Sequence, residues 1–229
     1  MIDDLIRYLS NPRNQHTVLE LLVVHIRLAL VPLLLGLLAA LPIGWAAQRY
    51  HRVRALVLGA SNVLYTVPSL ALFVILPSIL GTKILSELNV VVALALYTAA
   101  LLVRPVVDAL DALPAHVLAA ATAMGYRPAR RFLTVELPLA VPVLAAGVRV
   151  ASVSNISLVS VGALIGVGGL GQLFTEGFQS AYNPPIVVGI VLTLGLALVV
   201  DVLLVVARRL LTPWSGERRR PRAARVGAA

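Results

Sequence analysis

The sequence predicts an all-α integral membrane protein with about five transmembrane helices, and three observations carry that prediction. Hydrophobic residues make up 59% of the 229 and charged residues only 13%, where soluble chains carry about half and about a quarter. Five apolar runs, at roughly 21–47, 55–80, 88–110, 139–165 and 185–211, are each long enough to cross a bilayer, which takes about 20 residues. Arginines crowd one set of run ends, as membrane topology signals do. The formal charge of +9 is therefore a matter of orientation. Nucleic acid is not an expected partner, because the basic residues form no stripe interleaved with aromatics on a soluble face. With no cysteine, the chain offers no disulfide framework, thiolate nucleophile or cysteine metal site.

Taken in order, residues 1–20 are expected to form an extracellular N-terminal segment. Met1–Leu5 opens acidic and lacks the basic head and cleavage site of a secretory signal, so the first span should be retained. Span one carries Gly36, Ala40 and Gly44 at every fourth position, a small-residue ridge that admits a close helix neighbour. Arg27 near its outer end can snorkel. Span two holds Ser61, Asn62, Tyr65 and Pro68; span four holds Arg149, Ser152, Ser154, Asn155 and Ser157. Both should face protein or water. Pro32, Pro42, Pro68, Pro77, Pro105 and Pro142 fall within or at the ends of spans, where neighbours can satisfy the freed backbone groups, and together they suggest a bent, movable bundle. Residues 21–211 thus form one transmembrane domain, and 212–229 a basic cytoplasmic tail, expected to be disordered and to meet membrane lipid. Arg49, Arg52 and Arg54, the arginines near 104–131, Arg208, Arg209 and the tail place the N-terminus outside and the C-terminus in the cytoplasm.

One segment, about 111–138, interrupts this pattern. It runs Ala119-Ala120-Ala121-Thr122-Ala123-Met124-Gly125-Tyr126-Arg127-Pro128-Ala129-Arg130-Arg131 and ends in Val135-Glu136-Leu137-Pro138. A short helix, a glycine turn and a second helix begun at Arg127-Pro128 would make a protruding knob on the cytoplasmic side. A Cβ at Gly125 is expected to push its two helices apart. Arg127, Arg130 and Arg131 suit either acidic groups of a docked partner or plain topology anchoring.

Polar residues inside a bilayer are costly and face a cavity, a partner or another helix. Asn62, Tyr65, Ser152, Asn155 and Ser157 are therefore candidates to line a pathway, with interhelical hydrogen bonding as the alternative. Arg149 needs a partner, and Asp108 and Asp201 lie at suitable depth. Gly166-Val167-Gly168-Gly169-Leu170-Gly171 matches G-x-G-x-x-G, but a membrane span precedes it. A tight outer turn or gate formed by Gly166, Gly168, Gly169 and Gly171 is expected in place of a dinucleotide loop. No G-x-x-x-x-G-K-[ST] phosphate loop occurs, the four histidines lack helical partners, and no catalytic set assembles, so no catalytic residue, metal or cofactor is assigned to this chain.

The knob's spacing resembles the EAA coupling loop of bacterial ABC importer permeases, with Ala119 where the family usually has Glu. Ser61-Asn62-Val63-Leu64-Tyr65-Thr66-Val67-Pro68-Ser69-Leu70-Ala71-Leu72 and Glu136-Leu137-Pro138-Leu139-Ala140-Val141-Pro142-Val143-Leu144-Ala145-Ala146-Gly147-Val148-Arg149 are similar to the permease subunits of glycine betaine/carnitine/choline importers. The resemblance covers roughly residues 18–205. It implies a type I, MetI-like permease bundle in the bacterial plasma membrane and import of a small osmoprotectant. It also implies three partners: an ATP-binding subunit dimer that handles ATP and Mg, an extracellular or periplasmic substrate-binding protein, and a second permease chain, itself or a paralogue. In such a family the coupling contact falls on Ala119, Ala120, Ala121, Gly125, Tyr126, Arg127, Arg130, Arg131, Leu137 and Pro138. A permease for another small solute, such as an amino acid, keeps every argument but the substrate; a membrane scaffold would leave the knob without a purpose.

Overall fold

The computed structural model describes residues 2–215; of the tail expected to be disordered over 212–229, Thr212 is buried and Pro213–Ser215 form a 3-10 turn, while 216–229 fall outside the described residues. Among them the chain is helical nearly throughout and contains no strand. Helix α1 (Ile2–Ser10) leads through Asn11 into α2 (Pro12–Arg49). The Asn11 side chain accepts from the Arg13 N–H, 3.0 Å away, and Pro12 supplies a pre-set first turn. At 38 residues α2 is about 57 Å long, far more than the hydrocarbon thickness of about 30 Å. Its first turns, with the His16–Glu20 pair at 3.5 Å, therefore extend past the apolar zone.

The second expected span is not one helix. It is α3 (His51–Thr66) and α4 (Ser69–Leu80), bent by 103° at Val67-Pro68. Pro68 has no N–H to give, and it holds Val67 in the extended region at ψ 130°. The Tyr97 hydroxyl donates to the freed Val67 carbonyl, which makes the break tolerable away from water. Gly81 then closes α4 at φ +66°.

Helix α5 (Glu87–Asp111) is the centre of the bundle, with most of its inward residues fully covered. It packs along α2, where the small-residue ridge lies: a Cβ on Gly36 would fall 2.4 Å from Thr98 Cβ, and one on Gly44 would fall 2.5 Å from Val106 Cγ1. The two backbones approach so closely that only glycine fits. Helices α6 (Ala115–Ala123) and α7 (Pro128–Arg131) form the knob. A π-helical turn (Phe132–Glu136) carries the chain without interruption into α8 (Leu137–Gly162). After a 3-10 turn (Ala163–Ile165) come the short α9 (Gly171–Gln179) and the last span, α10 (Asn183–Leu211), which is packed on one side only. Among the described residues, four unbroken helices and one broken pair are thus long and apolar enough to cross a membrane.

Candidate coupling surface and the closure at the opposite end

The knob is assembled by local rules. Helix α6 ends in a Schellman motif: the Tyr126 N–H reaches the Ala121 carbonyl (3.2 Å) and the Gly125 N–H the Thr122 carbonyl (3.0 Å), with Gly125 at φ +83°. A Cβ at Gly125 would meet nothing within 4 Å. The expected crowding is therefore absent, and glycine is needed for its left-handed backbone alone. Arg127 is extended, and Pro128 opens α7.

The expected coupling residues divide by environment. Ala119, Ala120, Gly125, Arg127 and Arg130 are exposed, whereas Ala121 is buried against the bundle. Arg130 lies over the Tyr126 ring at 5.3 Å, a cation–π contact that fixes both side chains. Arg131 turns inward: its Nε donates to Glu136 Oε1 at 2.6 Å and its Nη1 to Thr122 Oγ1 at 2.8 Å. One guanidinium thus braces α6, α7 and the π-turn around a buried carboxylate. Leu137 and Pro138 begin α8 and are half-buried, at the point where knob becomes span. Two residues of the quoted segment had no role assigned from sequence: Glu136, which is buried against Arg131, and Met124, 70% exposed at the tip of the turn.

The knob's base is fixed to the bundle. Phe132 is buried and meets Trp45 of α2 with its ring tilted by 41°, centroids 5.5 Å apart. Arg54 of α3 pairs with Asp111 at 2.8 Å, at the end of α5 from which the knob departs. Displacement of the knob therefore reaches α2, α3, α5 and α8 together.

At the other end of α8, Gly166 (φ +78°) and Gly169 (φ +87°) turn the chain back. Gly171 needs its hydrogen for another reason, since a Cβ there would lie 2.5 Å from the Ser160 carbonyl oxygen. Gly168 is less tightly held, with Val24 Cγ1 3.0 Å from its ideal Cβ. The turn is fastened by a residue that sequence reading treated as isolated. His25, fully buried on α2, accepts the Leu170 N–H at Nδ1 (3.1 Å), which leaves Nε2–H to donate to the Ile156 carbonyl (3.0 Å). One neutral imidazole thereby joins α2, α8 and the glycine turn. Leu170 and Leu173 bury themselves beneath it with Tyr8, Val18 and Val188. Burial, with Glu176 nearby, raises the Tyr8 phenol above its ordinary pKa and keeps it neutral.

The polar residues of the spans fall into separate groups. Asn155 is buried; its Nδ2 donates to Thr98 Oγ1 (2.9 Å) and the Ala29 carbonyl (3.3 Å), while the Thr98 hydroxyl donates to its Oδ1 (3.1 Å). It ties α2, α5 and α8. Ser152 is buried and returns its hydroxyl to the Arg149 carbonyl (2.8 Å), while Ser157 is exposed. Asn62 and Tyr65 are exposed on α3, where Tyr65 meets Tyr97 edge-on at 6.1 Å. Arg149 has Asp201 as its partner in a bidentate pair (2.6 and 2.7 Å) that joins α8 to α10. Asp108, the other candidate, faces Arg104 on its own helix. Arg27 is paired with Glu87.

Comparison with known proteins agrees with this architecture. A family model described as "Binding-protein-dependent transport system inner membrane component" matches residues 32–212. The choline transport system permease protein OpuBB of Bacillus subtilis is 32% identical over 196 residues, 85% of this chain and 88% of that protein. The osmoprotectant import permease protein OsmW of Salmonella typhimurium is 35% identical over 82% of this chain and 89% of its own length. A chain of the MetNI methionine ABC transporter in an inward-facing form superposes with a TM-score of 0.73 at 23% identity, over 89% of this chain and 99% of that one. With the family match spanning most of its length and the same helical bundle beneath it, this chain belongs to the inner membrane components of binding-protein-dependent transport systems, the permeases of ABC importers.

Proposed function

We propose that this chain forms the pathway of an ATP-driven importer for a small osmoprotectant of the quaternary amine class: glycine betaine, carnitine or choline. The observation that carries the reading is identity of 32% and 35%, over more than four fifths of both chains, to permeases named for choline and osmoprotectant transport. Two permease chains, identical or paralogous, enclose the pathway. A dimer of ATP-binding subunits, which holds the ATP and Mg, grips the knobs from the cytoplasm. A separate extracellular or periplasmic binding protein delivers the solute to the end closed by the glycine turn. The N-terminus is outside and the knob inside, as the arginine bias requires.

In the proposed cycle, ATP draws the ATPase subunits together and each knob moves as a rigid unit, because Arg131, Phe132 and Arg54 tie it to the bundle. The motion passes directly into α8, and the pathway switches the face it opens. Exposed Ala119, Ala120, Met124, Arg127 and Arg130 form the docking face; Arg131 acts from within. Asn155 holds the spans together, Ser152 bonds within its own helix, and Ser157, Asn62 and Tyr65 are the candidates to meet the solute. Aromatics are only 5% of the chain, so a cation–π cage is assigned to the binding protein.

The test is uptake of labelled choline and glycine betaine by cells whose own importers are deleted and which express this permease with its ATPase and binding protein. Competition by osmoprotectants and not by methionine or histidine is expected. Uptake blocked by an amino acid instead would overturn the substrate assignment.

A further inference from the structure

A groove of about 320 Å³ runs between α2, α8 and α10 on the knob side of the bundle. Its walls are aliphatic, with Leu37, Leu41, Leu144, Val148 and Leu204 among them, and its one charged member is Arg208. From Leu137 to Val148 along α8 it extends about 16 Å, half of a hydrocarbon core of about 30 Å. It therefore spans one leaflet. Open along its length and walled by aliphatic side chains, it suits a single extended hydrocarbon chain.

Arg208 decides which lipid. Arg208 is half-buried in the last turn of α10, with no acidic partner among the described residues, and Arg209 adjoins it. That position is headgroup depth, where an unpaired arginine is best satisfied by a phosphate.

We propose that this groove binds an anionic phospholipid of the knob-side leaflet, one acyl chain lying between α8 and α10 and the headgroup phosphate on Arg208. Leu137, the first residue of α8, lines the groove, so the bound chain packs directly against the junction of knob and span.

The assembled transporter, purified in detergent and stripped of lipid, is incubated with phosphatidylglycerol or phosphatidylcholine of matched chains, or with glycerol 3-phosphate alone. Bound lipid is then counted by native mass spectrometry. Phosphatidylglycerol should be retained over phosphatidylcholine about fivefold, the order expected of one basic side chain near an anionic headgroup, and glycerol 3-phosphate should not be retained. Ala207→Phe, which fills the groove from an exposed position, should abolish retention; Leu210→Phe, on an exposed part of α10 away from it, should not. Arg208→Gln should keep retention and erase the preference. Equal retention of both lipids by the unaltered chain, or retention unchanged in Ala207→Phe, would overturn the proposal. So would loss of permease pairing in Ala207→Phe with no lipid bound to the parent, since that assigns the groove to a second chain. None of these readouts depends on which solute is carried.

Discussion

Arg131 and Arg130 are neighbours in sequence with opposite tasks. The first serves a buried carboxylate, and the second is exposed above an aromatic ring. Arg131→Met leaves Glu136, 3% exposed, without its charged donor, and should destabilise the protein by about 2–3 kcal/mol. Arg131→Met combined with Glu136→Met should recover part of that loss, because no charge is then stranded. Thermal unfolding of the purified variants measures both. Arg130→Gln should leave the melting temperature unchanged and weaken only recovery of the ATPase. Gly125 is constrained by backbone and not by space, which gives an ordered series. Gly125→Asn, a residue that tolerates positive φ, should retain most uptake, whereas Gly125→Val should lose it at about 1–2 kcal/mol of local strain. Equal loss in both would point to a contact at Gly125 with the docked subunit.

At the scale of elements, two side chains hold irregular backbone in place. The Tyr97 hydroxyl caps the Val67 carbonyl where α3 and α4 separate, and His25 fastens the glycine turn onto α2 and α8. His25→Phe keeps much of the volume but orphans the Leu170 N–H, worth about 1–3 kcal/mol when buried, and removes the second bond to the Ile156 carbonyl, which keeps its partner within α8. Faster proteolysis at residues 166–171 is the expected sign, with the knob end unaffected. Cleavage no faster than in the parent would mean that packing of Leu170 and Leu173 secures the turn without the imidazole. Gly171→Ala should disturb the same turn through contact with Ser160, in a chain whose His25 is intact.

For the molecule as a whole, the links run from one end to the other. The knob continues into α8; α8 holds α10 through Arg149–Asp201, α2 and α5 through Asn155, and the far turn through the Ile156 carbonyl. A push at the knob therefore has a connected path to the opposite face. Asp201→Asn should lower stability and uncouple ATP hydrolysis from uptake, and the exchanged pair Arg149→Asp/Asp201→Arg should restore both in part. Hydrolysis that stays coupled in Asp201→Asn would show that α10 follows α8 without the ion pair. Affinity recovery of the ATP-binding subunit, lost with Gly125→Val at normal membrane abundance, tests the docking of the knob itself.

Sequence alone determined what depends on neighbours along the chain. Apolar runs mark spans because a bilayer demands about 20 residues of them. The knob was legible because a helix, a glycine C-cap and a proline N1 are local devices, and the every-fourth-residue ridge of α2 was legible because helical spacing is. Tertiary structure decided the rest. His25 meets partners 131 and 145 positions away, Asn155 one 126 away, and Arg149 one 52 away. No periodicity encodes such pairs, since they exist only after the spans have packed. The break at Val67 lay between these cases: Pro68 announced a weak point, but only the Tyr97 hydroxyl, on another span, makes a bend of 103° sustainable where water cannot solvate the carbonyl.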